Sequence, residues 1–394
     1  MRKIEPYIIG IDATNLSAGG GLTHIIELLS FADPKVHGFD RIVIWAPNTT
    51  LKLIEDRPWL DKRNPFSLNK GLFRRTFWQS QNLSQALRNE GCSVLFVPGG
   101  SYFGDFHPVV TMSQNLLPFE MSEALRFGWS FLMFKLILLR FTQSRSFKKA
   151  DGIIFLTKYA RNTVMRVTGD LSGQISTIAH GLSARFYKIP KLQKNISLYS
   201  EALPYKVLYV SIIDQYKHQW HVVEAVSHLR DAGIPIVLDL IGPAYPPALK
   251  RLNSQIDSLE GNSHWVKYHG SIAFEELHQY YTEADVGLFA SSCENMPFIL
   301  METMASGLPI ACSNRGPMPE ILGEAGVYFN PELPEDIAAA LLKLIQSEQL
   351  RTELSLSSYE KAQRFTWERC ANETFRFINL IEDTYKKQIN NVQK

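Results

Sequence analysis

Two glutamates separated by seven residues draw attention in the second half of the chain. Glu294 and Glu302 bracket the run NMPFILM, which directly follows the apolar run VGLFASS. The apolar run is typical of a buried strand, and open parallel sheets bind ligands beyond the carboxyl ends of their strands. Pro297 fits the first position of a following helix, where its missing N–H costs nothing. The helix is expected to run to Ser306 and to stop at Gly307.

This arrangement indicates a site for a nucleotide sugar. A helix N-terminus offers N–H groups to an anion such as a phosphate. We expect the residues of that turn to contact the phosphates: Asn295, Met296, Pro297 and Phe298. Glu294 lies at the mouth of the site, where its carboxylate can accept hydrogen bonds from sugar hydroxyls. Glu302 lies one turn further along and can accept one from a ribose hydroxyl.

A plainer interpretation is two surface glutamates that flank a core helix. For an arbitrary pair of acids at this spacing it is the better one, because short motifs match by chance. Here the strand end, the proline and the small-residue exit at 305–307 agree with one another. We therefore favour the binding site.

Strand-like apolar runs alternate with helix-length amphipathic segments along the whole chain. Runs that are apolar throughout are typical of parallel strands covered on both faces. The polar, proline-containing segment 187–206 divides two such series and is interpreted as a linker. A long amphipathic helix, roughly 360–387, follows the last strand. The expected strands are 7–13, 41–47, 93–99, 108–113, 152–157 and 175–180, then 207–213, 236–242, 265–270, 286–291 and 309–313.

The composition of the chain argues against a nucleic-acid-binding, metal-binding or membrane-spanning protein. The 394 residues carry a formal net charge of only +2, so no overall field favours nucleic acid. The four cysteines have no metal-like or CxxC spacing, and no two aspartates are spaced D-x-D, so no metal site is expected. The N-terminal run YIIGI is too short for a signal peptide, and no 18-residue apolar stretch exists. We expect a cytoplasmic protein, or one peripheral on the cytoplasmic face of the inner membrane.

The second half resembles the retaining glycosyltransferases of family 4, the bacterial surface-polysaccharide type included. The matching residues are ASSCENMPFILMETMASGLPIACS, then PMPEILGEAGVYFNP at 317–331, and the resemblance covers nearly all of 205–345. The resemblance implies an α/β fold of the GT-B class: two Rossmann-like, doubly wound parallel-sheet domains facing each other across a cleft. It also implies that Glu294 contacts the transferred sugar and Glu302 the ribose of the donor.

The same resemblance implies how the chain is divided. Residues 1–190 would form the acceptor-side domain, completed by a C-terminal helix at about 371–394. Residues 205–370 would form the nucleotide-sugar-binding domain.

Lys217 matches the family's lysine that contacts the donor phosphates, whereas Ile212 stands where the family usually has an arginine. His218 or Arg315 could compensate for that missing charge. In the first domain, AGGGLTH at 18–24 follows the first strand. The resemblance places its Gly20 and Gly21 against the diphosphate, although a plain glycine turn is an equal interpretation.

Fewer candidate residues can be named for the acceptor side of the site than for the donor side. Many family members carry a histidine after the fourth strand of the first domain, where this chain has Ser113, Gln114 and Asn115. Asn115 is our candidate there, although a neutral amide is a poor base. His24 and His180 are spare candidates. The resemblance also allows the leaving phosphate to take the acceptor's proton.

The segment 127–149, FGWSFLMFKLILLRFTQSRSFKK, mixes aromatic, aliphatic and basic residues. One interpretation is a core helix with a basic rim, and the other is a face that rests on anionic lipid. Six basic residues and one acid lie between 121 and 150. Lipid contact would suit a lipid-linked saccharide acceptor.

The favoured hypothesis is a metal-independent retaining glycosyltransferase that needs no cofactor beyond its nucleotide diphosphate sugar. It would transfer the sugar to a saccharide, lipid-linked in polysaccharide or lipopolysaccharide synthesis, and would bind no nucleic acid. A nucleotide-sugar epimerase of the same fold is one alternative. A non-catalytic saccharide-binding protein is another, because the arginine and the histidine are missing.

Overall fold

A computed structural model describes residues 7–259 and 264–392. The described chain divides into two compact units. Unit 1 contains residues 7–120, 129–181 and 366–392. Unit 2 contains residues 121–128 and 182–365, without the four residues 260–263.

The strands, in chain order, are β1 (Ile8–Asp12), β2 (Arg41–Trp45), β3 (Leu60–Arg63), β4 (Val94–Val97), β5 (Val109–Ser113), β6 (Gly152–Phe155), β7 (Gln174–Thr177), β8 (Tyr205–Val210), β9 (Ile236–Ile241), β10 (Val266–Tyr268), β11 (Val286–Phe289), β12 (Ile310–Ser313) and β13 (Val327–Phe329).

The α-helices are α1 (Gly19–Ser30), α2 (Asn48–Leu51), α3 (Leu72–Asn89), α4 (Met121–Ala124), α5 (Phe131–Lys149), α6 (Lys158–Thr168), α7 (Gln219–Asp231), α8 (Pro246–Asp257), α9 (Leu277–Glu283), α10 (Phe298–Ala305), α11 (Met318–Leu322), α12 (Pro334–Gln346), α13 (Glu348–Ala362) and α14 (Trp367–Val392).

Unit 1 contains a seven-stranded parallel sheet in the order β3-β2-β1-β4-β5-β6-β7. Strands β1, β4, β5 and β6 are buried along their whole length, as their uninterrupted apolar sequences predict. The prediction missed β3, whose sequence is LDKR. This edge strand pairs in parallel with β2 and buries Leu60, and its charged residues form ion pairs, for example between Arg41 and Asp61 at 2.6 Å.

Unit 2 contains a six-stranded parallel sheet in the order β10-β9-β8-β11-β12-β13. Five of its strands were expected from apolar runs. The sixth, β13, is a three-residue edge strand that was not predicted. Two parallel-sheet, Rossmann-like units are therefore present, which confirms the predicted fold class.

The strand order reverses direction along the chain at one place in each sheet. In unit 1 this point lies between β1 and β4, and in unit 2 it lies between β8 and β11. The connections that leave two such neighbouring strands go to opposite sides of the sheet, which opens a crevice beyond their carboxyl ends. Each unit therefore has one position where ligand binding is expected from topology alone.

The chain passes between the units at two places that the sequence did not indicate, after residues 120 and 128, and at two others several residues before the expected boundaries. Residues 121–128, between β5 and α5, belong to unit 2, and so do residues 182–190. Within unit 2 the Lys188 N–H donates to the Ala305 carbonyl at 2.9 Å, so the expected linker packs against the end of α10. The long final helix expected at roughly 360–387 is α14, which begins only at Trp367, because α13 occupies the chain as far as Ala362.

A buried arginine fixes part of that linker segment in unit 2. Arg351 is 1% exposed. Its Nη1 donates to the carbonyls of Leu344 and Ile345 at 2.6 and 2.7 Å, and its Nε donates to Gln193 Oε1 at 3.1 Å. Its Nη2 also donates to the Lys194 carbonyl. One guanidinium thus satisfies the C-terminal carbonyls of α12 and holds the segment that leads to β8.

We expect Arg351→Met to lower the free energy of unfolding of unit 2 by about 3 kcal/mol. The substitution leaves several buried carbonyl groups without donors, and hydrogen bonds from a charged group are each worth about 1.5–3 kcal/mol. In thermal unfolding this corresponds to a fall in Tm of roughly 6–12 °C. The exposed Lys343→Met on α12 is the matched control and should change stability by less than about 0.5 kcal/mol. Equal melting curves for the two variants would contradict this role of Arg351.

Candidate active site

The loop between β11 and α10 carries most of the predicted site residues of unit 2. The helix begins at Phe298, and Pro297 is its N-cap residue, with φ −76° and ψ 112°. The prediction that Pro297 is the first helical residue was therefore wrong by one position, because Pro297 keeps extended backbone angles. The helix ends at Ala305, one residue before the predicted Ser306, which is the C-cap residue instead, and Gly307 has a φ of +64°.

Lys217 and Glu294 form an ion pair in unit 2. Lys217 Nζ contacts Glu294 Oε1, and their side chains are only 6% and 14% exposed. Lys217 follows β8 and Glu294 follows β11, so the pair lies at the position where the strand order of this sheet reverses. The Lys217 carbonyl accepts a hydrogen bond from Tyr209 at 2.8 Å, and Lys217 Nζ lies 5.3 Å from the centre of the Phe289 ring. The structure thus brings together two residues that sequence analysis had assigned to one ligand.

The turn that precedes α10 is largely buried. Asn295 and Met296 are buried, and Phe298 is half-buried. Pro297 makes no side-chain hydrogen bond to cap the helix. The expected phosphate-binding turn therefore lies in a shielded position next to the ion pair.

Glu302 lies in the second turn of α10, as predicted, but its side chain is buried within unit 2. The Tyr281 hydroxyl donates to Glu302 Oε2 at 3.1 Å. Burial raises the pKa of Glu302 to about 7, although the hydrogen bond from Tyr281 and the charge of Arg185 act in the opposite direction. Sequence analysis did not identify Tyr281 as the partner of Glu302.

A chain of polar side chains lies beside the ion pair and was also missed by sequence analysis. Ser292 Oγ donates to Glu123 Oε2 at 2.6 Å, and His218 Nε2 lies 2.9 Å from Ser292 Oγ. Because Ser292 has a single proton and gives it to Glu123, His218 donates through Nε2. Arg126 forms ion pairs at the other end of this chain of side chains. Its Nε lies 2.8 Å from Glu123 Oε2, and its Nη2 lies 2.6 Å from Glu332 Oε1.

This network corrects two expectations. Glu123 and Arg126 lie in the segment that belongs to unit 2, so they are not part of the aromatic and basic helix surface on α5. Burial and the neighbouring Arg126 lower the pKa of His218 to about 3. His218 is therefore neutral at pH 7 and does not replace the missing positive charge at Ile212. Arg315 lies 3.4 Å from Asn330 Oδ1 and 3.8 Å from Glu332 Oε2.

The predicted glycines and Asn115 lie in unit 1. Gly20 and Gly21 are in the first turn of α1. A Cβ atom on Gly21 would lie 2.8 Å from Gln114 Oε1, so only glycine fits there without a shift of that side chain. Asn115 is exposed, and its Oδ1 accepts a hydrogen bond from the Leu117 N–H at 3.1 Å. Its amide thus stabilises the turn after β5, and its role at an acceptor stays a prediction.

His24 and His180, the spare candidates for a base, contact one another in unit 1. Their Nδ1 atoms lie 3.0 Å apart, and both rings pack near Trp367 at the start of α14. Burial lowers the pKa of His24 to about 3, and burial together with His24 lowers the pKa of His180 well below its usual value. Groups with such low pKa values are weak bases, so this pair fits a structural role.

Other sequences resemble parts of this chain. Residues 197–361 match the family model described as "Glycosyl transferases group 1". The O-antigen chain mannosyltransferase B of Escherichia coli is 29% identical over 30% of this chain and 31% of its own length. The serotype-specific mannosyltransferase WbdA of E. coli is 24% identical over 60% of this chain and 30% of its own length. The chain thus spans about a third of the length of these two relatives.

Solved structures resemble the whole chain. Sucrose-phosphate synthase from Thermosynechococcus elongatus superimposes with a TM-score of 0.73, at 18% identity, over 98% of this chain and 99% of that one. Anabaena HepE in complex with UDP-glucose superimposes with a TM-score of 0.69, at 16% identity, over 96% of this chain and 99% of that one. WaaG, described as a glycosyltransferase involved in lipopolysaccharide biosynthesis, superimposes with a TM-score of 0.66, at 12% identity, over 94% of this chain and 99% of that one. The likeness establishes the GT-B fold.

The buried Glu302 predicts a specific dependence of stability on pH. Its folded-state pKa is raised, so its ionisation destabilises the fold as pH increases from about 4.5 to about 7. We expect Glu302→Gln to gain stability relative to the natural protein over this interval, by up to about 3 kcal/mol at pH 8. Urea unfolding at several pH values measures the difference. The exposed Glu275→Gln is the control, and a constant difference across pH for Glu302→Gln would refute the buried carboxyl group.

Proposed function

We propose that the protein is a retaining glycosyltransferase of family 4 that transfers a sugar from a nucleotide diphosphate sugar to a saccharide acceptor in cell-surface polysaccharide or lipopolysaccharide synthesis. The observation that carries the proposal is the Lys217–Glu294 ion pair, shielded from water where the strand order of unit 2 reverses. The pair lies inside the segment that matches the glycosyltransferase family model. Nucleotide diphosphate sugars are the ligands that such a combination suits, since they carry both phosphates and hydroxyls.

Each group of the pair has a distinct role in this proposal. The Lys217 ammonium group neutralises the diphosphate, together with the N–H groups at the start of α10. Glu294 accepts hydrogen bonds from hydroxyls of the transferred sugar and holds Lys217 in place. Glu302 contacts the ribose through Oε1, the carboxylate oxygen that Tyr281 does not use. Donor binding on these groups needs no resident metal ion or further cofactor.

The transfer step needs no base from the protein. The bond between the anomeric carbon and the leaving phosphate oxygen breaks, and the acceptor oxygen bonds to the same face of that carbon. The acceptor hydroxyl gives its proton to the leaving phosphate. As negative charge develops on that phosphate, Lys217 and the α10 amides stabilise it more strongly than in the ground state.

Lipid contact is proposed from the surface of α5. Large side chains point into solvent along this helix and the residues before it, with Trp129 97% exposed and Phe131 86% exposed. Phe134, Leu138 and Phe141 are exposed as well. Basic residues are interspersed among them, which is typical of a face that inserts aromatics into a bilayer of anionic lipid. None of the helices in the described part of the chain has the length and hydropathy of a membrane-spanning segment. Contact would place the protein at the cytoplasmic face of the inner membrane.

The donor assignment is tested by thermal unfolding with UDP, GDP, ADP and their sugars. A ligand at a hundred times its Kd stabilises the folded state by about 2.7 kcal/mol. We expect one nucleotide to do so with the natural protein and to fail with Lys217→Met/Glu294→Gln. The double variant removes both charges, so neither is left buried alone. A protein that no nucleotide or nucleotide sugar stabilises would overturn the assignment.

Sugar transfer provides the second test. Glu294→Ala is expected to lower kcat/KM for transfer from the identified donor by about 100-fold or more, because its contacts form at the reacting sugar. Glu302→Gln should mainly raise KM for the donor, since a ribose contact changes little between ground and transition states. The exposed Glu324→Ala is the control. Epimerised donor without acceptor, or equal rates in Glu294→Ala and the natural protein, would contradict the proposal.

Membrane contact is tested by sedimentation with vesicles of phosphatidylglycerol and phosphatidylcholine. We expect Phe131→Ser/Phe134→Ser to reduce the bound fraction more than tenfold, because each buried phenylalanine is worth about 1.5–3 kcal/mol. Binding should also weaken with added salt. Leu198→Ser/Leu356→Ser removes two exposed leucines of unit 2 and should bind like the natural protein. Unchanged binding of the phenylalanine variant would exclude α5 as the contact.

A further inference from the structure

Unit 1 contains a pocket of about 320 Å³ that none of the predicted site residues lines. It lies beyond the carboxyl ends of β1 and β4, where the strand order of this sheet reverses, and helices α3 and α5 form its sides. Pockets of about 300–1,000 Å³ at such positions are typical binding sites for small molecules. The pocket is therefore a second position in the molecule where topology and shape both indicate a ligand.

The floor of the pocket is polar and incompletely hydrogen-bonded. Asp12 accepts from the Thr14 N–H at 3.1 Å and from Gln79 Nε2, and Gln79 Nε2 also lies 3.0 Å from the Ser101 carbonyl. Gln79 is 1% exposed. Gln79 Oε1 and Ser101 Oγ are buried and have no hydrogen-bond partner among the residues that the structure describes. Buried polar atoms are normally paired, so these two are suited to a ligand that brings hydroxyl groups.

The walls of the pocket are apolar. Leu72 on α3 faces the interior together with Leu138 and Leu139 on α5, and Leu16 and Phe103 complete the lining. Leu72 and Leu138 are also more than half exposed, so they lie where the pocket meets solvent. A ligand that fills this space thus meets hydrogen-bonding groups at its inner end and leucines at its outer end.

The charges around the pocket favour a neutral inner group. Asp12 is buried at the floor, and burial raises its pKa. Lys135 is the cation among the lining residues, and it is exposed on α5. A phosphate at the floor would meet the carboxyl group of Asp12, whereas sugar hydroxyls can donate to it and to Gln79 Oε1.

We propose that this pocket binds a glycoside with an apolar aglycone, the sugar on Asp12, Thr14, Gln79 and Ser101 and the aglycone against Leu72, Leu138 and Leu139. A free sugar would leave the leucines in contact with water, and a plain alkyl chain would leave the polar floor unpaired. The inference rests on the proposed function in one respect, because it makes the bound glycoside the acceptor. The binding itself is independent of the donor.

Titration calorimetry without nucleotide tests the pocket, with octyl glycosides of glucose, galactose and mannose below their micellar concentrations. We expect at least one octyl glycoside to bind at least tenfold more tightly than both the free sugar and octanol. Gln79→Met should weaken it about fivefold or more by removing the floor acceptor. Leu138→Ser, a change at an exposed residue that the fold tolerates, should weaken it similarly. Circular dichroism spectra verify that both variants are folded.

Three controls separate this pocket from the other sites. Phe131→Ser/Phe134→Ser should lose vesicle binding and keep glycoside binding. Lys217→Met/Glu294→Gln should also keep it, so that a failed donor assignment leaves this result intact. Leu198→Ser in unit 2 should have no effect. The inference is overturned if no octyl glycoside binds, if octanol binds as well as the glycosides, or if folded Gln79→Met and Leu138→Ser bind like the natural protein.

Discussion

The ion pair between Lys217 and Glu294 joins two points of the chain that are 77 residues apart. It can form because β8 and β11 are neighbours at the centre of the unit 2 sheet, so the loops that follow them meet. Two charges shielded from water are costly unless each satisfies the other, and loss of one partner typically costs about 3–5 kcal/mol. The pair therefore constrains both loops, and the turn before α10 takes its position from them. The orientation of the Lys217 side chain is therefore determined by the fold.

The strand order reverses once in each sheet, and the side chains at these two switch points differ in charge and polarity. In unit 2 the switch point holds opposite charges, with a neutral His218 and the Glu123–Arg126 pair beside them. In unit 1 it holds a buried carboxyl group, amides and hydroxyls between leucine-rich walls. The first environment has charged groups with which a ligand can pair, whereas an unpaired charge would be costly to bury in the second. A single fold used twice thus presents two different chemical environments at equivalent positions of its two sheets.

Much of the fold could be predicted because buried parallel strands have a local signature. Eleven apolar runs predicted strands, including the edge strands β7 and β10, whereas β3 was missed because its sequence LDKR is charged and β13 because it has only the three residues VYF. The acid pair and Lys217 were found through the family resemblance and the strand–helix pattern. Ser292, Glu123 and Tyr281 could not be found in this way. Their roles depend on contacts between segments that are distant in sequence, and no local pattern records which segments will meet.

Neither compact unit is a continuous stretch of the sequence. The chain passes from one unit to the other after residues 120, 128, 181 and 365. A gene fragment that stops near residue 190 would lack α14. The first residue of this helix, Trp367, packs so closely against Gly181 that a Cβ atom added there would lie 2.3 Å from the Trp367 backbone. The fragment would also carry the first residues of the other unit without the rest of that unit. Cutting the polypeptide into halves would therefore give two incomplete cores. During biosynthesis the first unit must likewise wait for its last helix to leave the ribosome before its packing is complete.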